Sequence, residues 1–218
     1  GTRTSKGRAI QNLINIGQED KVKAFICTQD LKDEEYINSH YVIMATKNGQ
    51  VKKTSLEQYS RPRTNGINAI TIKDGDELLE AKLTTGDSQV MLAVKSGKAI
   101  RFEEEKTRSM GRNASGVRGI RLNSDNDEVI GMITINESES DVLVVSENGY
   151  GKRSSLEDYR ITNRGGKGVK TISVTEKTGS LVAIKNVTDS DDLMIINKSG
   201  IAIRLEVDNL RVMGRATQ

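Results

Sequence analysis

A repeat governs what this chain can fold into. Four short turns align along it: "KNGQVKK" at 47–53, "KSGKAIR" at 95–101, "ENGYGKR" at 147–153 and "KSGIAIR" at 198–204. Their glycines, Gly49, Gly97, Gly149 and Gly200, are spaced 48, 52 and 51 residues apart. Each turn follows an apolar run: "YVIMAT", "VMLAV", "VLVVS" and "LMIIN". Asn-Gly or Ser-Gly between apolar runs predicts a β-hairpin, because glycine accepts positive φ without penalty. A second glycine trails the complete turns, as Gly66, Gly116 and Gly168, and Gly7 fits the same role for a repeat whose start is missing. Two further pairs recur: "SLEQY" at 55–59 with "SLEDY" at 155–159, and "SMGRNAS" at 109–115 with "VMGRATQ" at 212–218. The chain therefore reads as three full repeats flanked by two partial ones.

A period near 50 residues made of short strands predicts propeller-like blades of about four strands each. The expected fold is all-β, a disc or arc of four to five such blades occupying residues 1–218 as one domain fragment. The 3.6-residue periodicity of a helical solenoid is hardly present, and only "SLEQY", "EEEKTR" and "SLEDY" read as short helical turns. Composition agrees with this reading. Hydrophobic residues make up 35% of the 218, enough for a core, and 20 glycines serve many tight turns. No apolar run reaches the length needed to span a membrane, and no secretory signal opens the chain. The opening "GTRTSKGRAIQ" resembles the middle of a domain. The single cysteine, Cys27 in "AFIC", has no partner for an internal disulfide and is expected in the core. The single histidine, His40, is expected in a loop, and one Cys with one His supplies no zinc ligand set.

The net charge of +3 is modest, but its distribution is not. A base lies four residues after each turn glycine: Lys53, Arg101, Arg153 and Arg204. An arginine precedes each trailing glycine: Arg3, Arg63, Arg112 and Arg164. Segment 98–121 carries seven bases and three acids, 122–151 seven acids and no base, and 152–170 six bases and two acids. If each repeat is a blade, equivalent bases fall at equivalent places and form a belt on one edge, the footprint of a nucleic-acid surface. The candidate phosphate contacts are Arg3, Lys6, Arg8, Lys52, Lys53, Arg61, Arg63, Arg101, Arg108, Arg112, Arg118, Arg121, Lys152, Arg153, Arg160, Arg164, Lys167, Lys170, Arg204, Arg211 and Arg215. Lys53, Arg101, Arg153 and Arg204 are expected exposed on one rim near Arg63, Arg112 and Arg164.

"NRGGKG" at 163–168 is the densest of these segments. It is no Walker loop, since Gly168 stands where a Ser or Thr must bind magnesium, and G-x-G-x-x-G is absent. A strand pattern follows it at Val169–Val174 rather than a helix. Polynucleotide phosphate is therefore the expected ligand, with glycines admitting close backbone approach. Phe25 and Phe102 are the only phenylalanines, and Tyr59 and Tyr159 recur within apolar patterns as expected blade anchors. Duplex backbone thus fits better than single strands, which favour aromatic stacking platforms. Phosphate contacts carry no sequence information, so low specificity and bent DNA are expected. A protein-interaction propeller with merely solvated bases is the alternative.

The stretches "NGQVKKTSLEQY", "RTNGINAI", "DGDELL", "RFEEEKTRSMGRNASGVRGIRL" and "NGYGKRSSLEDY" resemble the C-terminal domain of bacterial DNA gyrase A proteins over nearly the whole chain. The equivalent domain of topoisomerase IV is the nearest confusable relative. The resemblance implies a β-pinwheel with strand-swapped blades, whose basic outer rim wraps duplex DNA and supports negative supercoiling by the complete ATP-dependent type II topoisomerase. It implies partners in the remainder of the gyrase A protein and in the gyrase B protein, a monomeric domain, and a bacterial cytoplasmic setting. It also implies that this domain is not an enzyme by itself and needs no cofactor: ATP and magnesium belong to other parts of the enzyme, and DNA cleavage to a tyrosine matched by none of Tyr36, Tyr41, Tyr59, Tyr150 or Tyr159. The family's hallmark box, Q-R/K-R-G-G-K-G in the first blade, is matched here only in its last five residues, by Arg164–Gly168 behind a late-blade sequence. The first blade is therefore expected to precede Gly1.

Overall fold

The computed structural model describes residues 21–136 and 140–215. Each of the four predicted turns closes an antiparallel hairpin. These are β1 (Tyr41–Thr46) with β2 (Gln50–Ser55), β4 (Gln89–Val94) with β5 (Lys98–Glu103), β8 (Asp141–Ser146) with β9 (Gly151–Ser155), and β12 (Asp192–Ile196) with β13 (Ala202–Glu206). The four turn glycines all adopt positive φ, from +84° to +94°. After each hairpin the chain makes one 3-10 turn, at Leu56–Tyr59, Glu104–Lys106, Leu156–Asp158 and Val207–Asn209, as the "SLEQY", "EEEKTR" and "SLEDY" segments predict for the first three. A third long strand then returns beside the first: β3 (Leu78–Thr84) on β1, β7 (Val129–Ile135) on β4, and β11 (Leu181–Val187) on β8.

The fourth strand comes from the next repeat. β6 (Val117–Arg118) pairs with β2, although the whole β4–β5 hairpin intervenes in sequence, and β10 (Val169–Lys170) pairs with β5. Two sheets thereby reach four strands, β3-β1-β2-β6 and β10-β5-β4-β7, while β11-β8-β9 has three and β12-β13 two among the described residues. β3, β7 and β11 pack against one another in chain order, so they line the inner side and the exchanged strands lie at the outer edge.

Two of the cores are shared between repeats. Ile43 and Val51 of the first hairpin share one cluster with Leu92, Ile100, Phe102 and Met132 of the second repeat. Met91 and Ile133 of the second share another with Val142, Leu156, Tyr159 and Leu181 of the third. Each large apolar side chain buried there contributes on the order of 1.5–3 kcal/mol. Tyr159 is buried with its hydroxyl on Thr171, and the half-buried Tyr59 donates to Ala69 O at 2.7 Å, so both tyrosines act as anchors.

Two departures concern the first described segment. Cys27 is exposed, not in the core. The "AFIC" run alternates half-buried and exposed residues outside any strand, turning Ala24 and Ile26 inward and Phe25 and Cys27 outward. A six-residue helix, α1 (Glu34–Ser39), precedes β1, capped by the Asp33 carboxylate accepting from Glu35 N and Tyr36 N. His40 ends that helix, with Nδ1 2.8 Å from Tyr36 O and its ring against Tyr36. Arg3, Lys6, Gly7 and Arg8 lie outside the described residues. Among the described residues, no helix is long and apolar enough to cross a membrane.

Two of the trailing glycines, Gly116 and Gly168, mark the crossing of one repeat over another. Gly168 has φ +75°, and a Cβ on it would stand 2.5 Å from Ala99 O in the neighbouring hairpin. Gly149 has φ +86° with open space around it. Gly149→Ala is therefore expected to cost only the backbone strain, about 1 kcal/mol, and Gly168→Ala about 2–4 kcal/mol because main chain must also move. Thermal or urea unfolding of both variants checks this, and equal losses would contradict the close crossing.

Candidate nucleic-acid interface

The base four residues after the turn glycine points between blades rather than to solvent in the first three hairpins. Arg101 donates Nε to Gln89 Oε1 at 2.8 Å across its own hairpin. Its Nη1 donates to Leu156 O at 3.0 Å and Tyr159 O at 2.8 Å in the next repeat's 3-10 turn. Arg153 repeats the pattern: Nε to Asp141 Oδ2 at 2.8 Å, Nη1 to Val207 O at 3.0 Å, and Nη2 to Asp189 Oδ1 at 2.6 Å. Lys53 sits over the Tyr41 ring, 4.4 Å from its centre, with Nζ 3.6 Å from the fully buried Glu104 carboxylate of the next 3-10 turn. Glu104 also accepts from Ser88 N at 3.1 Å. Arg204 donates to Asp192 Oδ2 at 2.8 Å and stays exposed. The expected exposure of this series is thus corrected: Lys53 and Arg153 are buried, Arg101 is half-buried and turned inward, and only Arg204 is exposed. Arg101 and Arg153 cap outward carbonyls at the next repeat's 3-10 turn, and Lys53 faces that turn's Glu104 carboxylate, which removes all three from the free surface charge. Burial opposes the charge on Arg153, but its hydrogen bonds to Asp189 and Asp141 outweigh that and raise its pKa. Arg101 lacks a carboxylate in direct contact, and burial lowers its pKa, against a smaller pull from Glu157.

The neighbouring position is corrected too. Lys52 is 0% exposed and Lys152 5%. Successive strand residues face opposite sides, so these lysines point away from the clamp and under the trailing segments. Lys52 Nζ donates to Ala69 O and, at 2.6 Å, to Arg112 O, while Lys152 Nζ donates to Arg215 O. Ile100 and Ile203 occupy the equivalent places in the other two hairpins.

The trailing segments themselves are stitched edge to edge. Arg112 Nη1 donates to Asn68 O at 3.2 Å, Arg164 Nη1 to Arg118 O at 3.0 Å, and Arg215 Nη1 to Lys170 O at 2.9 Å. In each case the acceptor lies two residues past the previous trailing glycine: Gly66, Gly116 or Gly168. Main chain joins the same segments, with Gly165 N to Gly119 O at 2.7 Å and Arg121 N to Gly166 O at 2.8 Å. Arg118, Arg121, Arg164 and Lys167 are thereby brought together on the outer edge. Arg118, Arg121, Lys167 and Lys170 are exposed, while Arg112, Arg164 and Arg215 are partly covered by the contacts they make. Arg61, Arg63, Arg108, Arg160 and Arg211 are exposed as well.

The "NRGGKG" loop lines a cleft of about 430 Å³, together with Arg101 and Arg160. Four bases and no acid stand in its wall: Arg101, Arg160, Arg164 and Lys167. Its glycines have a second explanation, however. Gly165 donates its N–H to Gly119 O, and Gly168 clears Ala99 O, so both serve the crossing between repeats. The acids of the intervening segments go to other work: Asp127 accepts from Ser96 N and Oγ and holds the second hairpin turn, as Asp76 holds Asn48 N in the first. The partners Gln89, Asp141 and Asp192 escaped the sequence reading, yet each lies 12 residues before its arginine, a spacing set by the hairpin.

The chain matches the family model described as DNA gyrase C-terminal domain, beta-propeller, over residues 40–85, 89–136, 140–188 and 191–218. Those four segments begin at or one residue before the four hairpins. The DNA gyrase A protein of Staphylococcus epidermidis is 43% identical over all 218 residues, and that of Staphylococcus aureus 41%. The alignment takes up 24% of either relative, so the chain spans about a quarter of their length. A solved DNA gyrase A C-terminal domain superposes with a TM-score of 0.83 at 25% identity, covering 97% of this chain and 69% of that one. The C-terminal domain of DNA topoisomerase IV shares the fold, with a TM-score of 0.85 at 24% identity over 96% of this chain and 64% of that one.

The clamp and the outer edge separate by mutation. Arg153→Ala leaves Asp141 and two turn carbonyls without their buried donor and is expected to cost about 2–4 kcal/mol. Arg121→Ala removes an exposed side chain and is expected to change stability by no more than about 0.5 kcal/mol. Denaturant unfolding of the two variants distinguishes the roles, and a neutral Arg153→Ala would show that the clamp contributes nothing to the fold.

Proposed function

The chain belongs to the DNA gyrase C-terminal domain family, and on that premise we propose that it binds duplex DNA along its outer edge and bends it, with little regard to sequence. One observation carries the reading: the trailing segments of successive repeats are bonded to one another, so their exposed bases form a continuous track rather than isolated patches. Arg118, Arg121, Arg164 and Lys167 are its centre, Lys170, Arg112 and Arg215 extend it, and Arg61, Arg63, Arg108, Arg160 and Arg211 are further exposed bases. Arg204 is a weaker candidate, being held by Asp192.

Phosphate fits this track physically. Guanidinium groups offer donors in a fixed fork beyond those already bonded to carbonyls. A duplex following a stepped, curved edge must bend, at a cost of about 1–6 kcal/mol for 40–90° over 20–30 base pairs, which the added phosphate contacts offset. The relatives are components of DNA gyrase, and the proposal extends to their setting: a wrapped segment, presented with fixed handedness, supporting negative supercoiling inside the bacterial cell by an enzyme completed by the remainder of the gyrase A protein and by the gyrase B protein. Strand cleavage and ATP hydrolysis are assigned to those other parts. The same argument holds for the equivalent domain of topoisomerase IV, but the identity to gyrase A proteins favours gyrase.

Arg164→Ala/Lys167→Ala is expected to weaken binding to unrelated duplexes alike. The log–log salt dependence should flatten by roughly 0.9 for each phosphate that is no longer neutralised, with only a small fall in melting temperature from the lost Arg164–Arg118 hydrogen bond. Titration of labelled duplexes at several salt concentrations checks it. Undiminished binding at equal salt would reduce this loop to a turn, and salt-independent binding of a protein ligand instead would favour an interaction propeller.

A further inference from the structure

We propose that Lys52 and Lys152 are positioning residues for DNA binding: each buried ammonium fixes the main chain of an outer-edge arginine, Arg112 and Arg215 respectively, and so presents that arginine to the duplex. The inference rests on the DNA-binding reading above and assigns it two residues that touch no DNA. The geometry occurs twice. Lys52 Nζ holds Arg112 O, and Lys152 Nζ holds Arg215 O, across 60 and 63 residues of sequence.

For packing alone an apolar side chain suffices at this place, because Ile100 fills it in the second hairpin, 2% exposed. The lysine adds a grip on the arginine. Arg112 is then held at three points: its N–H on Gln58 Oε1 at 3.2 Å, its carbonyl on Lys52, and its Nη1 on Asn68 O. Ala69 O, the other acceptor of Lys52, also receives the Tyr59 hydroxyl. Losing the ammonium therefore falls mainly on Arg112. Fixing a rotamer-rich side chain before binding removes an ordering cost that the duplex would otherwise meet.

Charge gives the proposal a signature. Arg112 and Tyr59 are the charged and titratable groups that face Lys52; Lys170, Arg215 and Asp158 face Lys152. Burial, with the nearby Arg112 charge, lowers the Lys52 pKa to about 8, and burial likewise lowers that of Lys152. Since the folded pKa lies below the unfolded one, the charged form costs stability below pH 8. That cost is relieved as pH rises from about 8 to about 10.4. Folding stability and DNA affinity should therefore move in opposite directions across this window, whereas a merely structural lysine would move them together.

The experiment measures duplex affinity at fixed salt from pH 7 to 9.5, beside thermal melts, for the parent chain, Lys52→Met, Arg112→Ala and the double variant. Lys52→Met is expected to melt at or above the parent at pH 7 and to bind about three- to ten-fold more weakly. The parent's affinity should fall toward that of Lys52→Met as pH passes 8, while its melting temperature does not fall with it. In the Arg112→Ala background, Lys52→Met should cost less than two-fold, because the residue it serves is gone. Parent-like binding by Lys52→Met, a parent affinity flat across pH 8, or an undiminished effect in the Arg112→Ala background would each overturn the proposal. A parent that binds no duplex would instead sink the DNA-binding reading, and this inference with it.

Discussion

Everything in this fold depends on one exchange: the fourth strand of both four-stranded sheets is supplied by the following repeat. β6 and β10 are only two residues long, yet they place the main chain of one repeat against the hairpin of another. The approach is close enough that Gly116 and Gly168 meet backbone where any Cβ would stand. With cores shared across the seams between repeats, much of the stability lies in interfaces. Van der Waals packing at the crossings is reinforced by repeated hydrogen bonds, such as Met110 N to Lys53 O, Thr162 N to Arg101 O and Met213 N to Arg153 O.

That arrangement explains why so many bases are hidden in a chain whose charges invite a surface reading. A 3-10 turn at the seam between blades leaves carbonyls that need donors. An arginine with five N–H groups caps two of them while bonding a side chain on its own hairpin. In the first seam Lys53 and Glu104 meet instead as a buried pair, with Tyr41 beneath the ammonium. The seams are thus alternative solutions to one desolvation problem, and each withdraws charge from the surface.

The outer edge has the complementary property. Arg112, Arg164 and Arg215 each bind the preceding trailing segment with one nitrogen and retain others. The contacts that hold neighbouring segments in step are therefore made by the groups proposed to hold phosphate. Spacing along the track is thus set by the protein itself, the preorganisation that the proposed bending of a duplex calls for.

The hairpins, the 3-10 turns, the repeat period and the trailing glycines were legible in the sequence, because each follows from local chemistry: Asn-Gly or Ser-Gly turns, alternating apolar runs, and positive φ reserved to glycine. The recurrence of bases was equally legible, but its meaning was not. Arg153 and Arg121 are both arginines in basic segments, and only the neighbouring blade makes one a buried clamp and leaves the other exposed. Cys27 shows the same limit from the apolar side, since half of a short alternating run faces outward when no sheet covers it. Sequence determined the unit and its repetition, because those depend on residues near in the chain. Tertiary structure decided which charges are used inside and which remain for a partner, because burial depends on contacts made some 45 to 60 residues away.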